Sequence, residues 1–237
     1  MRALSLLILL CAAFVCRGAD ADVLAQRASR AFDAGEWASA EALYMRVSDA
    51  APSDAKPYGR VIFAALMRGD TTATARTVER ALASRVPLDS VLSVLESEAL
   101  AHADGSLYVA ELHRIGREMP YLRRPVDARL LTYYTFRSDA PMMIRYAQAL
   151  LRGLPDSPRY LNALASAYLI DGDIAAAVET WKRIVAVDSA NTEALVGLGN
   201  ALYDSAPDAA LRYMERAQEI HPTPYLASRI AALKLAR

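Results

Sequence analysis

Cysteine is nearly absent from this 237-residue chain. Both residues, Cys11 and Cys16, fall within the first sixteen positions, so no disulfide framework, thiol nucleophile or cysteine metal site can form downstream. Histidine is scarce as well. His102, His113 and His221 show no HExxH or other ligand spacing. The sequence has no glycine-rich phosphate loop and no G-x-S-x-G nucleophile turn. Neither sign of charge is in excess: Lys plus Arg and Asp plus Glu number 27 each, which gives nucleic acid no electrostatic footprint. These absences nominate no catalytic residue, no metal ligand and no cofactor, and a non-enzymatic role is expected.

Glycine and proline are also sparse, at 10 and 11 residues, and long β-branched runs are missing. Abundant alanine then favours helix, and 54% hydrophobic with 23% charged residues is the composition of a folded chain. The longest apolar run, residues 3–15 behind Arg2, is too short to span a bilayer core that needs about 20 helical residues. Its length and flanks are those of a secretory signal. Ala19 and Ala21 supply a small-residue cleavage site, so residues 1–21 are expected to be removed; cleavage after Gly18 is an alternative. Leu10 and Val15, rather than small residues, precede the cysteines, so lipid anchoring is not expected. The expected product is exported, periplasmic or secreted, with no membrane span.

One pattern is abundant. Glycines that end one helical stretch and precede another stand at Gly35, Gly69, Gly105 and Gly172, separated by 34, 36 and 67 residues. The last gap is close to two steps, so the spacing predicts a glycine-free turn near residue 138, at Ser138 and Asp139. One further step reaches Ala206 in "DSAPD". Asp171 and Asp173 flank Gly172, and "DGDIAAAVE" offers alanines where a calcium loop needs oxygen ligands. This acidic pair is therefore read as turn residues.

Around Gly172 stand Ala165, Tyr168, Ala177 and Trp181; at the same offsets around Gly35 stand Ala28, Ala31, Ala40 and Tyr44, with Pro52 beyond. This order resembles the tetratricopeptide repeat, in which small residues let two helices cross closely, an aromatic fills the seam and a proline often closes the unit. One hairpin cannot bury its apolar faces alone, so hairpins stack. The resemblance implies an all-α fold, a right-handed helical-hairpin solenoid of about six units. Units 1 and 2 are expected over 22–88, divergent units 3 and 4 over 89–157, units 5 and 6 over 158–222, and a capping helix over 223–237. The divergence is specific: Ile62 and Thr74 depart from the small-residue pattern in unit 2, and Glu98, Arg114 and Arg117 depart from it in unit 3. In the last segment Leu226, Ile230 and Leu233 share one face, with Arg229 expected to point away from it.

In this family the first helix of each unit lines a groove for an extended peptide or a partner's helix. The inward sites fall about thirteen, ten, six and three residues before each turn. They comprise Lys56, Gly59, Phe63 and Leu66 in unit 2, Arg159, Asn162, Ser166 and Leu169 in unit 5, and Glu193, Val196, Asn200 and Tyr203 in unit 6. Arg159, Asn162 and Asn200 do not reproduce the lysine–asparagine–arginine clamp that some members use for acidic tails. Tyr133 and Tyr134, with Arg123 and Arg124, form a second candidate partner site, since Tyr and Arg are enriched at binding hot spots. The competing reading of that stretch is aromatic core with a solvated arginine surface. The resemblance implies a non-catalytic scaffold or adaptor holding a protein or peptide partner in the cell envelope. Two alternatives stay open: a recognition module of an envelope enzyme (or an enzyme with an unrecognised site), and assembly between copies as a homo-oligomer.

Overall fold

The computed structural model describes residues 21–102 and 105–235. The expected signal segment, apart from its last position, and both cysteines lie outside the described residues. Within them the chain is helix and turn, without strand. Helix α1 covers residues 21–33, followed by α2 (Trp37–Ala50), α3 (Ala55–Met67), α4 (Thr71–Ala83), α5 (Leu88–His102) and α6 (Gly105–Glu118). A 3-10 turn over Pro120–Leu122 precedes α7 (Arg123–Phe136), α8 (Ala140–Leu151), α9 (Pro158–Asp171), α10 (Ile174–Val187), α11 (Thr192–Ala201), α12 (Pro207–Ile220) and α13 (Pro224–Leu235). The chain forms two compact units, one ending at Pro120 and one beginning at Tyr121. The first holds three tetratricopeptide-like hairpins; the second holds three more and the final helix. This is the all-α, helical-hairpin class expected from the sequence.

One turn chemistry recurs. Gly35, Gly69 and Gly172 sit at φ of 71°, 74° and 88°, and Ser138 takes the same left-handed place at φ 53°. In each case the next N–H donates to the carbonyl five residues back: Glu36 to Ala31, Asp70 to Ala65, Asp139 to Tyr134 and Asp173 to Tyr168, at 2.8 to 3.1 Å. This is the Schellman closure of a helix end. The following aspartate then caps the next helix: Asp70, Asp139 and Asp173 accept from the N–H groups of Ala73, Met142 and Ala176. Asp173 is thus a helix cap, and Asp171 is exposed at the end of α9. Gly105 departs from the expected scheme. It opens α6, whereas α5 already ends at His102, so the 34-residue step from Gly69 falls before it.

In the first unit α5 packs chiefly on α3 and more lightly on its own hairpin partner α6. Gly59 makes the α3–α5 approach possible, because a Cβ there would lie 2.5 Å from that of Val94. Of the residues that break the small-residue pattern, Thr74, Glu98 and Arg114 are buried and paired, whereas Arg117 is exposed. Glu111 and Arg114 are 2% and 8% exposed. The Arg114 guanidinium donates to the Glu111 and Glu118 carboxylates and to the Thr74 hydroxyl, forty residues away on α4. Arg60 binds Glu98 at 2.7 Å and lies over the rings of Phe32 and Tyr44. Phe32, Trp37, Phe63 and His102 pack ring to ring around it, at 5.4 to 5.9 Å.

In the second unit Trp181 is 4% exposed and belongs to a core with Leu161, Ala165, Ala177, Ile184, Ala194 and Leu198. Leu226 and Leu233 of α13 are buried on Leu195, Leu211 and Met214, with Ile230 beside them, as the shared face predicts. Arg229 differs from expectation. Its guanidinium lies 3.5 Å over the Tyr203 ring, because the flat cation gains more from an aromatic face than from solvent.

Candidate partner groove

The sequence-predicted inward residues separate into three environments. Phe63 is fully buried among aromatic rings, and Gly59 is sealed by Val94, so these positions belong to the core of the first unit. Lys56 is exposed on α3 and Leu66 half-buried. At the far end of the second unit, Asn200 accepts a 2.7 Å hydrogen bond from the Tyr225 hydroxyl, and Tyr203 carries Arg229. There α13 already engages both residues.

The third environment is open. Ala128, Leu131, Thr132, Thr135 and Phe136 on α7 face Arg159, Tyr160 and Ala163 on α9 across a cleft of about 170 Å³. Phe136 is 83% exposed, whereas Tyr160 and Leu131 are buried in the floor. The hydroxyls of Thr132 and Thr135 donate to the α7 carbonyls of Ala128 and Leu131, at 3.1 and 2.8 Å. Their hydrogens are spent, so toward a ligand they offer acceptors and methyl groups. Arg159 supplies the charged donors at the rim. Such a lining suits an apolar side chain flanked by a carboxylate or carbonyl. Its volume is below the roughly 300–1,000 Å³ of small-molecule sites.

Arg159 was nominated from the sequence, while Phe136, Tyr160, Leu131, Thr132 and Thr135 were not. A usable signal existed. Counting thirteen, ten, six and three residues back from the turn at Ser138 gives Pro125, Ala128, Thr132 and Thr135, three of which line the cleft. Ser166 is half-buried and Leu169 is 38% exposed further along α9. Asn162 is 4% exposed, and its Oδ1 has no hydrogen-bond partner among the described residues. A buried acceptor left unpaired is destabilising. Asn162→Leu is therefore expected to leave stability unchanged or raise it by up to about 1 kcal/mol. Thermal unfolding checks this; a clear loss would mean that the amide is satisfied in solution.

The tyrosine–arginine candidate divides too. Tyr133 is 6% exposed beneath the Arg137 guanidinium, 3.6 Å from its ring, and so belongs to the core. Tyr134 is half-buried and stacks on the buried Tyr146 at 5.8 Å. Burial raises the phenol pKa of both Tyr134 and Tyr146, so each stays neutral at ordinary pH. Arg124 is exposed, and Arg123 is held by Asp127 at 3.1 Å. Among the described residues no group of three or more His, Cys, Asp or Glu is placed to hold a metal ion, and no helix is long and apolar enough to cross a membrane.

No family model and no curated protein matches the sequence. Solved structures do resemble the fold. The structure of Naa15/Naa10 bound to HypK-THB aligns with 92% of this chain at 14% identity and a TM-score of 0.52. The hetero-tetramer Cut9-Hcn1 of the APC/C aligns with 92% at 12% identity and 0.51. This chain spans only 35% and 47% of those two. A tetratricopeptide repeat protein from Parabacteroides merdae aligns with 91% of this chain and 86% of its own length, at 14% identity and 0.49. Hairpin order, turn chemistry and small-residue crossings agree on one conclusion: the chain has a tetratricopeptide-like helical-repeat fold.

Proposed function

We propose that this protein is a non-catalytic adaptor, exported to the cell envelope, that holds a partner protein through the groove between α7 and α9. The observation that carries this reading is Phe136, a large aromatic 83% exposed beside an apolar cleft with a cationic rim. An aromatic in that setting is a typical binding anchor. The partner would place an apolar side chain between Phe136 and Tyr160, with an acidic or carbonyl group against Arg159. Export is supported by the signal-like run at residues 3–15 behind Arg2.

A photo-crosslinking residue at position 135, which lines the cleft beside Phe136, tests the reading in the native envelope fraction. One recurrent partner protein is expected. Phe136→Ala with Arg159→Ala is expected to lower its capture about tenfold or more, with the melting temperature little changed because both side chains are exposed. Capture of this chain alone would favour self-assembly. Retention of the protein in the cytoplasm, with residues 1–21 intact, would overturn the export.

A further inference from the structure

A second cleft in the unit beginning at Tyr121 lies between α7 and α8 and is separate from the groove. It encloses about 430 Å³ and is lined by Arg123, Asp127, Ile144, Arg145 and Arg152, among others. Arg123 is committed to Asp127, whose side chain is 10% exposed. Arg145 and Arg152 are exposed and pair with no carboxylate among the described residues. Arg145 lies 5.6 Å from the Tyr146 ring, which holds it at the cleft wall. The cleft thus carries three cations and one anion, a local surplus of two positive charges in a chain with 27 of each sign.

We infer that this cleft binds an acidic peptide segment, with two carboxylates of the segment on Arg145 and Arg152. Arg145 lies on α8 and Arg152 caps its end seven residues later, about 10.5 Å along the axis at 1.5 Å per residue. An extended segment rises about 3.3 Å per residue, so acidic residues two to four positions apart reach both guanidinium forks. Each fork can take a carboxylate through paired hydrogen bonds. Asp127 in the wall repels a compact, multiply charged anion placed centrally, whereas charges spread along a chain avoid it. Ile144 and Pro141 supply apolar wall for the residue between them. A polynucleotide has no long-range attraction to a chain of zero formal charge.

The test is fluorescence anisotropy with a labelled short peptide of alternating Glu and Gly, which lacks the apolar side chain the groove requires, on the full chain at low salt. Binding is expected to weaken as salt rises and to fall roughly tenfold in the R145Q/R152Q double variant. The Phe136→Ala, Arg159→Ala variant is expected to bind this peptide as the parent does, so failure here and failure of the groove reading are distinguishable. Both substitutions in R145Q/R152Q are at exposed sites, and an unchanged circular dichroism spectrum excludes misfolding. The proposal is overturned if the peptide does not bind, or binds R145Q/R152Q equally well. It is also overturned if inorganic phosphate or a single-stranded oligonucleotide displaces the peptide at equal or lower concentration.

Discussion

Arg114→Ala is expected to destabilise the unit ending at Pro120 by about 3–5 kcal/mol, the loss typical when one partner of a buried ion pair is removed. Glu111, 2% exposed, would be left charged without its cation, and the Thr74 hydroxyl would lose its donor. Restoring the repeat's apolar pattern should undo most of this. Thr74→Ala, Glu111→Leu and Arg114→Met together remove every buried member of the network and leave only the exposed Glu118, and apolar replacement of a buried ionic group is often neutral or stabilising. Urea unfolding followed by Trp37 fluorescence reads both variants in the unit that contains the network. If Arg114→Ala alone proves harmless, the network is not formed in solution.

The same pair gives a pH signature. Burial raises the Glu111 carboxyl above its ordinary 4.5, while Arg114 pulls in the opposite direction. A carboxyl raised on folding contributes stability that is fully present below the ordinary value and lost as pH rises through the folded one. In Arg114→Ala the opposing cation is gone. The loss of stability from acid to neutral pH should therefore be steeper than in the parent, and Glu111→Gln added to that variant should flatten it.

Trp181→Ala is expected to destabilise the second unit by about 3–5 kcal/mol. The indole is 4% exposed, fills the seam between α10 and α11, and touches the side chains that hold three successive helices. Relaxation cannot readily refill the space, because the neighbours are alanines and leucines fixed on rigid helices. Gly197 provides the converse test. A Cβ on it would collide with the Trp181 indole, so Gly197→Ala is expected to destabilise by about 1–3 kcal/mol. This would occur even though alanine favours helix over glycine by about 1 kcal/mol. Far-UV circular dichroism during thermal unfolding follows both variants. A stabilised Gly197→Ala would mean that α10 and α11 pack less closely than described.

Much of the fold was written locally. The turn at Ser138 was found by spacing alone, because a left-handed helix end followed by an aspartate cap is set within a few residues and is shared with the turns at Gly69 and Gly172. The crossings at Ala31 and Ala40 and the seam at Trp181 were legible for a similar reason: a close helix pair leaves room for little else. The exposed sites were legible only in part. The inward offsets led to Arg159 at the cleft, yet at Phe63 the same offsets led into the core, because aromatic rings from α1 and α2 close over it.

By itself, then, the sequence determined helix, hairpin period, turn chemistry and repeat class, all consequences of backbone hydrogen bonding and side-chain size over spans of about 34 residues. The tertiary structure alone decided how the exceptions are resolved. Thr74 and Arg114 are each anomalous in their own repeat and become partners only when α4 and α6 come together. Arg229 reads as solvated until Tyr203 lies beneath it. Phe136 stands close to Tyr133 and Tyr134 in the sequence, and only its exposure beside the cleft sets it apart from them. Repeat geometry is a short-range property of the chain; pairing between exceptions, and which aromatic is left uncovered, depend on contacts far apart in sequence.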